Sequence, residues 1–172
     1  MTYEEQLEKQ REGKDTFFGN NMHSPLTEEQ KNSFEKLDYY SPNQLLKIQV
    51  ELKHYEQQNR IDIMTSKGFV QEHIRFGYVE FEISSKKYSL TVYKQEDSDY
   101  LFVPFKDKTN GIETYGAGRY VELESISKGF YSLDFNTAYN PYCAYNDNWV
   151  CPLTPFENNL NVEIRAGEKK FK

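Results

Sequence analysis

The stretch FVQEHIRFGYVEFEI, residues 69–83, decides the fold that this sequence predicts. Residues 74–78 carry their apolar side chains at even-numbered positions, whereas residues 79–83 carry theirs at odd-numbered positions. Successive residues of a strand point to opposite faces of a sheet, so the buried face must switch beside Gly77. A one-residue β-bulge would reconcile the two halves and bend the strand, as barrels and strongly curled sheets require.

Shorter runs with strand periodicity lie on both sides of this stretch. They cover residues 46–52, 61–64, 88–92, 100–103, 120–123, 130–135 and 160–164. The run 100–103 has no alternation, which indicates a strand covered on both faces, and Pro104 is expected to mark its end. Together the runs predict a mainly β (α+β) fold, a curled antiparallel β-barrel or sandwich of about seven or eight strands.

Two helices are predicted before the first strand. Thr2 with Glu5, and Thr27 with Gln30, match the capping box, in which two side chains satisfy backbone N–H groups of the first turn reciprocally. Each helix should therefore begin directly after its threonine.

Two cations, Arg11 and Lys14, interrupt the apolar stripe of the first predicted helix. Either both long side chains extend to the edge of the packing surface, or one of them reaches a buried carboxylate elsewhere in the chain.

Length and composition limit the classes of function. At 172 residues we predict one domain, 1–172, in which a helical segment 1–38 packs on a β domain 43–168. The net charge of −6 and the lack of a basic cluster argue against nucleic acid as a partner. Because no apolar run approaches bilayer length and the N-terminus lacks a signal sequence, we expect no membrane insertion and a cytoplasmic location. The oligomeric state is not predicted.

The stretch DFNTAYNPYCAYN, residues 134–146, predicts a polar pocket. It carries a carboxylate, three amides, three tyrosines and a thiol, a mixture too aromatic for a solvent loop and too polar for a core. Asparagine also locks turns through its own side chain, so the amides have a structural interpretation too. The candidate ligand-binding residues, from this stretch and the glycine-rich segment before it, are Glu113, Tyr115, Arg119, Asn136, Tyr139 and Asn140.

The glycine-rich segment 111–118 is not a phosphate-binding loop, because Ala117 stands where that motif requires lysine. Arg119 follows it directly and can present two parallel donors to a carboxylate. That carboxylate is either Asp134 within the protein or an acidic ligand.

No complete catalytic or metal-binding constellation is present. Asp134 and Glu157 are candidate general bases. Cys143 has no nearby histidine to activate it, and Cys143 and Cys151 are expected to be free thiols. Scattered glutamates could in principle hold a metal, but nothing fixes their separation, so neither a metal nor a cofactor is predicted.

Several long motifs resemble the signature of the DUF1684 family. They are residues 110–120, 134–145, 151–158 and 166–168, and residues 11–18 and 24–26 are similar to the opening of that family. The family has no assigned biochemical function, so the resemblance implies no activity. The motifs include the cations of the first helix, which suggests one structural network that contains Arg11, Lys14 and Glu168, together with Arg119 and Asp134.

Three functions remain open on the sequence. The first is the binding of a small polar or anionic ligand by the glycine-rich and Asn/Tyr-rich loops. The second is a small-molecule hydrolase or lyase, with Asp134 or Glu157 as general base and Arg119 as electrostatic stabiliser. The third is a protein–protein interaction module that uses the aromatic loop.

Overall fold

The computed structural model describes residues 1–172, and its main element is one antiparallel sheet of eight strands. The strands are β1 Lys47–Glu51, β2 Lys53–His54, β3 Arg60–Met64, β4 Val70–Ile83, β5 Lys86–Lys94, β6 Phe102–Phe105, β7 Arg119–Ser127 and β8 Phe130–Asp134. Two α-helices, α1 Tyr3–Asn20 and α2 Glu28–Ser33, precede them. The predicted mainly β fold with two N-terminal helices is confirmed.

The sheet is nearly closed into a barrel because its two edges belong to one short segment. The strand order is β1-β8-β7-β6-β5-β4-β2, and β3 also pairs with β4. Only Leu52 separates β1 from β2, so this segment pairs with β8 at one end and with β4 at the other. A core of 17 buried apolar residues fills the interior, among them Val79, Leu90 and Val121.

The predicted β-bulge is confirmed, since the pairing of β4 with β5 shifts between Arg75 and Gly77. Gly77 is also where β4 meets β2. A Cβ atom added to it would lie 2.4 Å from the carbonyl oxygen of Lys53. Only a residue without a side chain allows the closing strand to approach this closely, so bulge and closure depend on the same position.

Both predicted capping boxes are confirmed at Thr2 and Thr27. Helix α1 turns Leu7 and Phe18 inward, and Phe18 belongs to a second apolar cluster that also contains Tyr145. This cluster joins the helical segment to the loop that follows β8. Neither helix combines the length and the apolar character that a membrane crossing requires.

Strand β6 continues past Pro104, so the expectation that this proline ends the strand is wrong. Strands β5 and β6 pair only at Tyr93 with Phe102. The amide of Asn158 fills the gap between them: it accepts from the N–H of Thr91 at 2.8 Å and donates to the carbonyls of Thr91 and Pro104 at 2.9 and 2.8 Å. Proline is tolerated because no strand partner needs an N–H from it there.

The predicted last strand, residues 160–164, is also wrong. The structure has no strand there. An isolated bridge joins Lys106 to Asn159, the residue before the segment, although Ile164 belongs to the core. The backbone of the segment makes two separate main-chain hydrogen bonds with residues 106–108, from the N–H of Leu160 to the carbonyl of Lys106 at 2.7 Å and from the N–H of Lys108 to the carbonyl of Val162 at 2.9 Å. A side chain also takes part, since the N–H of Ile164 donates to the carboxylate of Asp107 at 2.7 Å. The alternation in its sequence therefore reflects burial without regular pairing.

Replacing Gly77 by alanine should lower the free energy of unfolding by about 2–3 kcal/mol, because the new Cβ must displace the carbonyl of Lys53 where the barrel closes. The matched control is Gly13→Ala in α1, where a Cβ meets nothing within 4 Å. That variant should be neutral or gain up to about 1 kcal/mol. Urea unfolding measures both, and equal stabilities would show that closure does not need the close approach.

Candidate functional site

A cleft of about 330 Å³ lies on the outer face of the barrel. Its floor comes from β4, β6 and β7, and its rim comes from the loops at 95–100, 139–142 and 149–152. Six aromatic side chains line it: Tyr100, Phe102, Tyr120, Tyr139, Tyr142 and Trp149. We call it the aromatic cleft.

The loop 139–152 covers this face because main-chain hydrogen bonds fasten it near both ends. At one end Tyr120 and Tyr139 exchange two N–H···O=C bonds, both of 2.9 Å. At the other end the N–H of Leu153 donates to the carbonyl of Met64 at 2.8 Å. Side chains of the cleft add to these contacts, since the hydroxyl of Tyr120 donates to the carbonyl of Pro152 and the indole N–H of Trp149 donates to the carbonyl of Pro25.

Edge-to-face contacts hold the rings of the cleft in place. The ring centroids of Phe102 and Tyr120 are 4.7 Å apart, and those of Tyr120 and Tyr139 are 5.9 Å apart. On the rim, Tyr142 and Trp149 are 5.1 Å apart. These two rim residues keep 36% and 37% of their surface exposed, so a ligand can reach them.

The aromatic cleft offers only uncharged groups at neutral pH. No lysine, arginine, aspartate or glutamate lines it. Burial lowers the pKa of His73, which keeps its imidazole neutral. Burial and a hydrogen bond with Glu122 raise the pKa of Tyr100 to about 12. The polar groups available to a ligand therefore include the neutral amides of Gln71 and Gln95.

Two thiols meet at one side of the cleft. Cys151 lines it, and the N–H of Cys143 donates to the sulfur of Cys151 at 3.2 Å. The hydroxyl of Tyr115 lies 3.7 Å from the sulfur of Cys143. The hydrogen bond from the Cys151 thiol lowers the pKa of Cys143 to about 6; burial opposes this, whereas the hydroxyls of Tyr115 and Ser66 add to it. The same bond, together with burial, raises the pKa of Cys151.

Of the six predicted ligand-binding residues, Tyr139 and Asn140 line the aromatic cleft. Tyr115 approaches it only through the cysteine pair. Asn140 is 1% exposed, and its amide donates to the carbonyl of Lys169 at 2.9 Å and to the carboxylate of Glu168 at 3.3 Å. The Asn140 side chain therefore ties the cleft loop to the C-terminal segment.

Glu113 and Asn136 do not line the cleft. The carboxylate of Glu113 accepts a hydrogen bond from the hydroxyl of Tyr40 at 2.8 Å. The amide of Asn136 binds both backbone groups of Asn43, each at 2.8 Å. Both contacts connect the segment before β1 to distant parts of the chain.

Arg119 is fully buried, and its partners are three backbone carbonyls and one carboxylate. Its Nη1 donates to the carbonyls of Ala166 and Glu168, and its Nη2 donates to the carbonyl of Ile164 at 2.8 Å. The nearest carboxylate is that of Asp107, at 3.5 Å. We call this arrangement the Arg119 clamp, because it fastens the C-terminal segment to the start of β7.

Asp134 is not the ion-pair partner of Arg119. Its carboxylate accepts from the hydroxyl of Tyr3 at 2.7 Å and from the N–H of Asn136 at 3.0 Å. Asp134 therefore joins the first turn of α1 to the end of β8, away from the cleft.

Glu157 also lies outside the aromatic cleft. Arg75 pairs with it at 2.8 Å, and the hydroxyl of Tyr93 donates to it. Burial raises the pKa of Glu157, but these hydrogen bonds outweigh burial and leave the pKa below its usual value. A carboxylate held in this way is a weak proton acceptor.

The cations of α1 serve contacts within the protein. Lys14 reaches the buried carboxylate of Glu168 at 2.8 Å. Arg11 donates to the carbonyl of Tyr40 at 3.0 Å, and its guanidinium lies 4.4 Å from the ring centroid of Tyr39. Of the two interpretations of these cations, Lys14 therefore matches the second, in which a cation reaches a buried carboxylate elsewhere in the chain.

Sequence reasoning missed most residues of the aromatic cleft. They include Gln71, His73, Tyr100, Phe102 and Trp149, which come from three separate stretches of the chain. The one available signal was the high aromatic content of 16%, which is more than the core absorbs.

Comparisons with known proteins identify relatives without a known activity. The family described as "Protein of unknown function (DUF1684)" matches residues 32–169. The solution NMR structure of an uncharacterized protein from Haloarcula marismortui is 35% identical, with a TM-score of 0.74 over 97% of this chain and 94% of that one. No curated protein matches.

Replacing Arg119 by lysine should destabilise the protein by about 3 kcal/mol, because one ammonium cannot serve three carbonyls and leaves buried acceptors unpaired. The matched control is Arg165→Lys, since Arg165 is 58% exposed and pairs only with surface glutamates. It should change stability by less than about 0.5 kcal/mol. Equal losses in the two variants, measured by urea unfolding, would contradict the clamp.

Alkylation of Cys143 by iodoacetamide should reach half of its maximal rate near pH 6, because thiolate is the reactive form. Peptide mapping of the product assigns the reacting cysteine. In Cys151→Ser the thiol donor is replaced by a hydroxyl, so the midpoint should stay below that of an ordinary thiol. A midpoint near pH 8.5 for the wild-type protein would contradict the lowered pKa.

Proposed function

This chain belongs to the DUF1684 family, and we propose that it binds a small uncharged ligand with a flat apolar face in the aromatic cleft. The observation that carries the proposal is the combination of six aromatic side chains with a complete lack of charged side chains in one concavity. Sugars and neutral aromatic compounds are the classes of ligand that fit this chemistry.

The size of the cleft supports a small ligand. A volume of about 330 Å³ lies at the lower end of the range for sites that hold metabolite-sized molecules. Aromatic walls favour ring-shaped ligands, because a flat face gains both apolar burial and contact with the ring quadrupole. The amides of Gln71 and Gln95 are placed to accept and donate hydrogen bonds at the edges of such a ring.

An anionic ligand, which the sequence allowed, finds no support in the geometry. Arg119, its expected partner, is fully buried and engaged with backbone carbonyls. Since neither Arg119 nor any lysine lines the cleft, an anion bound there would lose hydration without gaining an opposite charge. Of the small polar or anionic ligand that the sequence predicts, we therefore keep the polar, uncharged class.

Neither alternative function is favoured by a specific observation. A hydrolase or lyase that uses Asp134 or Glu157 would need that carboxylate at the cleft, and both are bound elsewhere in the fold. An interaction module would present its aromatic rings on an open patch, whereas these rings line a concavity.

We also propose a cytoplasmic location. A secreted disulfide scaffold would normally carry more than the two cysteines of this chain, which supports this location.

Tyr100→Ala should weaken the binding of a neutral ring compound roughly tenfold, because it removes one aromatic wall from a rim position that is 52% exposed. The probes are a panel of neutral monosaccharides and aromatic amides, screened by ligand-observed NMR and titrated through the fluorescence of Trp149, the single tryptophan.

The matched control is Phe156→Ala, since Phe156 is 88% exposed and lies outside the cleft. It should bind every probe as the wild type does. The proposal fails if no probe gives a saturable signal, or if both variants lose affinity equally.

A further inference from the structure

The two cysteines of the chain form a contact pair beside the aromatic cleft. Cys143 lies in the short helical turn Tyr142–Ala144, and Cys151 lies where the loop returns to the barrel. The Cys143 N–H donates to the Cys151 sulfur at 3.2 Å, and neither sulfur is bonded to another. Eight positions along the chain separate them, so the fold brings them together through the loop 144–150.

The loop between the cysteines is held from outside. The amide of Asn146 and the indole N–H of Trp149 both donate to the carbonyl of Pro25, the latter at 3.0 Å. These contacts fix the loop that joins the two cysteines against the helical segment.

The pair also has a route for a small reagent. Cys151 lines the cleft, and Cys143 and Cys151 keep 9% and 7% of their surface exposed. The hydroxyl of Tyr115 lies 3.7 Å from the sulfur of Cys143. Cys143 thus has a hydrogen-bonding environment that favours its thiolate, which is the nucleophilic form.

We propose that Cys143 and Cys151 form a redox-active dithiol, in which hydrogen peroxide oxidises Cys143 and Cys151 then closes an intramolecular disulfide. This site goes beyond the proposed ligand binding and does not depend on any ligand. Its substrate class is a small hydroperoxide, since both cysteines are buried beside the cleft.

In the first step the thiolate of Cys143 attacks one oxygen of the peroxide. An S–O bond forms, the O–O bond breaks, and the departing hydroxide takes up a proton to become water. In the second step the sulfur of Cys151 attacks the sulfur of Cys143. The S–S bond forms, the S–O bond breaks, and hydroxide leaves with the proton of Cys151 as a second water. The two sulfurs lose two electrons and the peroxide gains them.

The order of attack follows from the contacts of the pair. The hydroxyl of Tyr115 lies 3.7 Å from the sulfur of Cys143 and can stabilise a thiolate there. The lowered pKa of Cys143 and the raised pKa of Cys151, for both of which hydrogen bonding between the two thiols is the first cause, agree with this order. Cys143 is therefore the sulfur that attacks the peroxide, and Cys151 resolves the sulfenic acid.

The test treats the reduced full-length protein with hydrogen peroxide at neutral pH. The intact mass should fall by two hydrogen atoms, peptide mapping should link Cys143 to Cys151, and dithiothreitol should reverse both results. Cys151→Ser should stop at a sulfenic acid on Cys143, trapped by dimedone. Cys143→Ser should react at least about tenfold more slowly, because the hydroxyl of Tyr115 contacts the sulfur of Cys143 and not that of Cys151.

Circular dichroism and urea unfolding establish that both serine variants are folded. Wild-type protein unfolded in urea supplies a further comparison, since its cysteines have no fixed contacts and should form the disulfide more slowly. The proposal is overturned if native wild-type protein forms no disulfide, if Cys151→Ser and Cys143→Ser react at the same rate, or if unfolding leaves the rate unchanged.

Discussion

The buried guanidinium of Arg119 is the interaction on which the arrangement of the C-terminal third depends. After β8 the chain contains only short helical turns and isolated bridges, so many of its backbone groups have no strand or helix partner. A buried carbonyl without a hydrogen-bond partner lowers the stability of the fold. Side-chain donors must therefore replace the missing hydrogen bonds of a β-ladder. Arg119 serves three carbonyls of residues 164–168, and Asn158 does the equivalent between β5 and β6.

Strand β7 links this fastening to the aromatic cleft because neighbouring residues of a strand face opposite sides. Arg119 pairs across the sheet with Phe105, a core residue, so it points to the interior side where Ile164 and Ala166 pack. Tyr120, the next residue, points outward and pairs with Tyr139 of the cleft loop. One strand therefore secures the C-terminal segment on one face and the candidate binding site on the other.

Charge and chemistry are segregated in the same way. The sequence analysis predicted that several ionised groups share a pocket. In the structure these groups instead make contacts that hold α1, the segment before β1 and the C-terminus onto the barrel. Glu168 illustrates this, since its 1% exposed carboxylate receives Lys14, Tyr145 and Asn140. What remains for the cleft is a neutral aromatic surface and, beside it, two thiols whose reactivity is set by their mutual hydrogen bond.

The sequence by itself determined both capping boxes, the bulge beside Gly77, the mainly β antiparallel class of the fold and the family. The caps and the bulge could be predicted because caps and periodicity act within one element. It also marked residues 134–146 as rich in groups that need partners. Only the tertiary structure decided which partners they find, since Arg119 meets residues 45 to 49 positions away and Asn158 meets Thr91 across 67. The segment 160–164 shows the limit, because burial can produce the alternation of a strand where only isolated main-chain hydrogen bonds, and no regular ladder, join the segment to its neighbour.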